Sequence, residues 1–326
     1  MGRVSAFCIV CALAVAGPGW AQSGRLSIPA WIDTETAVMA PEFEATLNGR
    51  PAGISAQLGP ASDQVILVVL DVTGDPSYVD PARQALVDGI SKLPRNAWVA
   101  LLRAQDGLHV LADPGPDRRS VIGAIEGLLN SGNPGLLETV EPALTLADGL
   151  LRHSPVRVSV LYITDSNIYS YREDFTNPVI NQSDPHDLSR RFPEELIGEK
   201  ISKLIDATSP LEAPLFIVHL HDRTDRLNRA YENGLETLAD ATGGRAHVCR
   251  SVAEIPDSIS AALARISNGW RLTLTVPPKV HGVAKVHLCG HSGGEELRLS
   301  WRTRLEAKER QKNATGSRPN RSATEH

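Results

Sequence analysis

Short unbroken apolar runs alternate along this chain with stretches in which apolar residues recur every three or four positions. Val65 to Leu70 is the plainest run, six apolar residues in a row and mostly β-branched. It is too short to span a membrane, and without polar alternation it suits a strand covered on both faces of a parallel sheet. Val156 to Ile163, interrupted by Arg157 and Ser159, and Pro214 to His221, with His219 and His221 at its end, are further largely apolar strands. Between and after them, helical spacing links Ala82, Leu86, Ile90 and Leu93, then Val121, Ile125 and Leu128, then Val140, Leu144, Ala147 and Leu151. It continues through Ile197, Ile201 and Leu204, through Tyr231, Leu235 and Leu238, and through Ile259, Leu263 and Ile266. Strands alternating with helices predict an α/β fold with a doubly wound, mainly parallel sheet over residues 62 to 269. Asp80-Pro81 reads as the cap and first position of the opening helix, and Thr139 as the residue that opens a later one.

Outside that span the period is two. Phe43 to Leu47 alternates before the turn signal Asn48-Gly49, and Arg271 to Val276, Ala284 to Leu288 and Leu297 to Trp301 alternate near the other end. Residues 22 to 61 and 270 to 305 are therefore expected to pair into a small β module. Residues 306 to 326, charged and unpatterned, read as a flexible tail.

The central run ends on Asp71-Val-Thr73-Gly-Asp75, and the second run ends on Thr164-Asp165. In open α/β sheets, ligands sit beyond the carboxyl ends of the strands. Carboxylates and hydroxyls at alternate positions on one loop are the oxygen donors a hard divalent cation takes, while an Asx-type turn closing the strand is the plainer alternative.

With Thr139 between the two strands, this constellation resembles the von Willebrand factor type A domain, over about residues 62 to 269. The resemblance implies a metal-ion-dependent adhesion site at which a divalent cation (Mg²⁺, or Mn²⁺ or Ca²⁺) helps capture another protein. Asp71 and Thr73 match the first two positions of the family's Asp-x-Ser-x-Ser loop, Thr139 its distant threonine and Asp165 its distant aspartate. Asp75 departs from the pattern, standing where the family usually has a second serine. An extra carboxylate there offsets part of the cation's charge and so its attraction for an acidic ligand. Pro41 to Ile54 resembles the β element that precedes the A-type domain in secreted bacterial relatives.

Arg3, the apolar Ala6 to Ala16 and Gly19-Trp20-Ala21 predict a signal peptide over residues 1 to 21, with export to a periplasm, a surface or the medium and no membrane span afterwards. Losing Arg3 takes the formal charge from −5 to −6, which argues against a nucleic-acid partner. Cys249 and Cys289 would remain, as a disulfide or as two buried thiols. The long polar segment 166 to 189 leaves the strand end at Asp165, and Tyr169, Tyr171, Arg172 and Phe175 are its candidate partner-binding residues. His219 and His221 read as packed or surface residues, since a zinc site needs more ligands. Gly290-His-Ser292-Gly-Gly294 fits a hydrolase nucleophile motif, but its flanks alternate like strands, so a hairpin turn is expected. No phosphate loop, Cys-x-x-Cys pair or His-Glu-x-x-His motif is present, and the expectation is a binding protein rather than an enzyme.

Overall fold

A computed structural model of the chain describes residues 24–33, 41–128, 131–173, 175, 193–278 and 280–307. The expected signal peptide, residues 176–192 of the long polar segment and residues 308–326 of the expected tail lie outside the described residues.

Four strands come first: β1 (Arg25–Ile32), β2 (Glu42–Leu47), β3 (Arg50–Ala52) and β4 (Ile54–Leu58). The apolar run then forms β5 (Gln64–Asp71), buried along its whole length, and leads into α1 (Pro76–Lys92). Next are β6 (Ala97–Arg103), β7 (His109–Gly115), α2 (Arg118–Glu126), α3 (Leu136–His153) and β8 (Arg157–Thr164). They are followed by α4 (Pro193–Thr208), β9 (Leu215–His219), α5 (Arg226–Ala241), β10 (Arg245–Val248) and α6 (Ile255–Ser267).

These strands make one sheet in the order β10-β9-β8-β5-β6-β7. Its pairs are parallel except for β7, which returns antiparallel along β6. Because side chains alternate across a strand, Val65, Leu67 and Val69 enter the core shared with α3, α4 and α5. Ile66, Val68 and Leu70 enter the core shared with α1, α2 and α6. At roughly 1.5–3 kcal/mol for each buried aliphatic side chain, this strand is firmly held, and its carboxyl end is fixed with it.

Two helix starts differ from expectation. Asp75, not Asp80, caps α1: its Oδ1 accepts the Ser77 amide at 2.8 Å, and Pro76 takes the first turn while Pro81 falls inside the helix. α3 begins at Leu136 behind Gly135, so Thr139 lies one turn in, with its hydroxyl donating to the Gly135 carbonyl at 2.6 Å.

The last strands are β11 (Trp270–Thr275), β12 (Gly282–Ser292), β13 (Glu295–Glu296), β14 (Leu299–Trp301) and β15 (Arg304–Ala307). β1 pairs antiparallel with β11 and β14, and β2 with β12 and β3. Leu26, Ile28, Leu47, Leu272, Leu274 and Leu288 are buried together between them. Glu306 and Ala307, expected to open the tail, instead complete β15 against β12. Ser292 pairs with Glu295 across Gly293-Gly294, whose φ values of 60° and 89° make a tight hairpin. That strand-to-strand turn is not the strand-to-helix elbow a hydrolase nucleophile needs.

Candidate functional site at the carboxyl edge of the sheet

β5 and β8 are neighbours in register, with Asp71 opposite Thr164, so both strands deliver their last residues to one edge. The Asp71 carboxylate is fully buried there. Its Oδ1 accepts the Gly135 amide at 2.9 Å and its Oδ2 accepts the Thr164 hydroxyl at 3.0 Å. Asp165 closes on the facing loop: Oδ1 accepts the Thr73 amide at 2.8 Å and Oδ2 the Gly74 amide at 2.6 Å.

Two glycines allow these approaches. A Cβ at Gly135 would stand 1.9 Å from the Ala104 carbonyl oxygen, and one at Gly74 would stand 2.5 Å from Asp165 Oδ2. The loop between them is steadied by Gln105, whose buried amide donates to the Val72 carbonyl at 2.6 Å.

Burial raises the Asp71 pKa to about 6; the Gly135 and Thr164 hydrogen bonds oppose that rise, and the neighbouring Asp165 charge adds to it. Asp165 is also raised, chiefly by burial, against the pull of the Thr73 and Gly74 amides. The exposed Asp75 is lowered by its bond to the Ser77 amide, as expected of a helix cap. Asp71 and Asp165 thus form a buried pair of carboxylates, and among the described residues neither is in an ion pair with Lys or Arg.

Asp71, Thr73 and Asp165 are therefore brought together. Thr139 is close by, its oxygen also 3.0 Å from the Tyr162 hydroxyl. Among the described residues, no group of three or more His, Cys, Asp or Glu side chains is placed to hold a metal. The local set consists of two carboxylates and two threonine hydroxyls, which suits a hard cation in chemistry, since each carboxylate oxygen keeps a lone pair beyond its hydrogen bond. Asp75 fits less well, being committed to its helix.

The aromatic segment requires a correction. Tyr171 and Phe175 are only 7% and 2% exposed and pack in the core with α3, α4 and α5, so they present no binding face. Apolar rings that can reach the sheet are worth more buried there than displayed to water. Tyr169 is 54% exposed, with its hydroxyl donating to Asp225 at 2.9 Å, and Arg172 reaches Asp106 at 2.5 Å.

His219 is buried with Nε2 2.8 Å from the Ser166 carbonyl, and burial lowers its pKa to about 4. His221 stacks on Tyr78, ring centroids 4.4 Å apart. The two cysteines are unbonded: Cys249 is buried against Ser258 and Cys289 lies half-buried in β12. Cys249 follows β10 of the mainly parallel sheet while Cys289 lies in β12, and both are free thiols, which corrects the disulfide alternative.

No family model and no curated protein matches the sequence. Among solved structures, the chain is similar to the von Willebrand factor type A from Catenulispora acidiphila at 14% identity and a TM-score of 0.45, over 85% of this chain and 75% of that one. It is similar to the PilB minor pilin from Streptococcus sanguinis at 10% identity and 0.45, over 67% of this chain and 64% of the pilin. The conserved hypothetical protein BatB from Bacteroides thetaiotaomicron matches at 13% and 0.39, over 63% of this chain and 99% of that one. That likeness concerns fold alone, and the site is read from the residues themselves.

Around Asp71, Thr73 and Asp165 the structure also places Gly74, Gly135, Tyr162, Ser166 and Tyr231, which the sequence did not mark as site residues. The glycines' only local signal was their position in polar loops. The tyrosines read as ordinary members of apolar stripes.

Proposed function

We propose that this chain is an exported binding protein that captures another protein at the carboxyl edge of its sheet, with a divalent cation held there. Asp71, Thr73, Thr139 and Asp165 would hold the ion directly or through water, and Asp75 would contribute charge from the rim. The cation would supply an open coordination position for an oxygen of the partner. The reading is carried by the two buried carboxylates on adjacent strand ends, bonded to no Lys or Arg side chain among the described residues. Two like charges so placed favour a cation between them. Tyr169 and Arg172 are the exposed residues of the neighbouring loop that a partner would meet. The strands drawn from the two ends of the chain form, on this reading, a small β module carrying the α/β domain.

The test is thermal unfolding of residues 22–326 after EDTA treatment and then with Mg²⁺, Mn²⁺ or Ca²⁺. A ligand bound only by the folded state raises Tm with its concentration. A rise in the parent that Asp165→Ala abolishes supports the reading; no rise with any of the three ions overturns it.

A second reading is favoured by one observation: all four oxygens of Asp71 and Asp165 already accept a hydrogen bond. The edge would then be a closed scaffold surface that binds its partner without metal. Partner capture unaffected by both EDTA and Asp165→Ala would favour it.

A further inference from the structure

Behind Asp71 runs a buried line of hydroxyls that the cation reading does not use. Thr164 Oγ1 donates to Asp71 Oδ2 at 3.0 Å and lies 2.6 Å from Ser166 Oγ. Ser166 Oγ lies 2.8 Å from the Tyr231 hydroxyl, which lies 2.7 Å from that of Tyr171. All four residues are buried.

The direction of every bond follows from the first. A carboxylate only accepts, so Thr164 spends its single proton on Asp71. Thr164 Oγ1 also accepts the Ser166 amide at 3.1 Å, so at 2.6 Å the Ser166 hydroxyl must be the donor. With that proton spent, Tyr231 donates to Ser166, and Tyr171, whose hydroxyl stands 3.4 Å from Ser166 Oγ, gives its proton to the nearer Tyr231 oxygen at 2.7 Å. One acceptor at the sheet edge thus orients four hydroxyls in series, in a dry interior where each bond polarises the next.

The far end of the line is the segment that carries Tyr169 and Arg172. The same segment is fastened to α5 beside Tyr231, with the Ile168 amide donating to Asn228 Oδ1 at 2.9 Å and Tyr169 to Asp225. We propose that this relay couples the Asp71 carboxylate to the position of residues 168–172, so that whatever engages the sheet edge is felt at Tyr169 and Arg172. By linkage, a partner held on Tyr169 and Arg172 acts back on the edge to the same degree. The coupling is a property of the hydroxyl line itself and stands whether or not the edge binds a cation.

Amide hydrogen exchange of the peptide spanning residues 166–173, measured on residues 22–326 in EDTA, tests it. Thr164→Val and Tyr231→Phe keep shape and remove one hydroxyl each, the first beside Asp71 and the second next to Tyr171 at the far end. Each is expected to speed exchange of this segment about fivefold or more, the loss of a buried bond appearing as easier local opening. Together they speed it no further than the stronger single change, because either one breaks the series. Tyr162→Phe removes a buried tyrosine hydroxyl outside the line and leaves the segment at the parent rate. Should Thr164→Val fail to fold, Ser166→Ala takes its place with the same expectation. The proposal is overturned if Thr164→Val, or Ser166→Ala in its stead, leaves the segment at the parent rate, or if the two effects multiply as independent ones.

Discussion

The Asp165 carboxylate and the Gly74 amide meet at 2.6 Å, joining the loop after β8 to the loop after β5. At this position a Cβ would crowd the same oxygen that the amide meets. Gly74→Ala places a methyl 2.5 Å from that oxygen and must push the loops apart. The expected cost is about 1–3 kcal/mol in urea unfolding, together with loss of any cation-induced rise in Tm. A variant as stable as the parent would show that the loops yield at little cost.

Asp71 makes stability depend on pH in a direction opposite to that of most carboxylates. Its folded pKa of about 6 stands above the ordinary 3.8, so the native state holds the proton more tightly than the unfolded chain. In EDTA the penalty for burying its charge is full above about pH 7, shrinks as pH falls through 6, and is gone below 3.8. The stability of the parent relative to Asp71→Asn should therefore rise between about pH 7.5 and 4.5, by roughly 2 kcal/mol. Urea midpoints of both proteins across that range check it, and a difference that narrows on acidification counts against it.

Arg157 has a structural role at the opposite edge of the sheet. Its guanidinium donates to the carbonyls of Pro60 and Ser62, ahead of β5, and to those of Ile266, Ser267 and Gly269, behind α6. Arg157→Ala leaves several of these carbonyls unpaired and is expected to cost about 3 kcal/mol or more. Arg157→Lys should recover little, because an ammonium lacks the planar fork that reaches both segments. Unfolding of the two variants in urea distinguishes loss of the fork from loss of charge.

The thiols should differ in their access to reagents. Cys289 is half-buried and Cys249 is fully buried, its pKa raised by that burial. A maleimide added to the native protein is expected to label Cys289, with Cys249 following only in denaturant. Electrophoresis without reductant should show no internal cross-link. Equal labelling of both in the native state would contradict the burial of Cys249.

How much of this was legible in the sequence varies by element. β5 stood out because a strand buried on both faces carries an unbroken apolar run, and β8 because apolar residues dominate it despite Arg157 and Ser159. The start of α1 was displaced because Asp-Pro occurs twice, at Asp75-Pro76 and Asp80-Pro81, and local capping rules favour neither. Tyr171 and Phe175 were misjudged because a polar loop has no period from which burial can be read. Only the fold brings Tyr231 on α5 within reach of Tyr171. Likewise, two of the three amides that hold Asp71 and Asp165 come from glycines whose value lies in what stands opposite them, Ala104 for one and Asp165 for the other.

The Arg157 clasp also has a mechanical consequence. The chain enters the α/β unit just before β5 and leaves it just after α6, and both points are gripped by this one guanidinium. The eight residues of β5 put the carboxylate pair roughly 25 Å away, at the far end of the sheet. Tension applied through the terminal strands is therefore borne at the clasp, and the edge that holds Asp71 and Asp165 is spared the load.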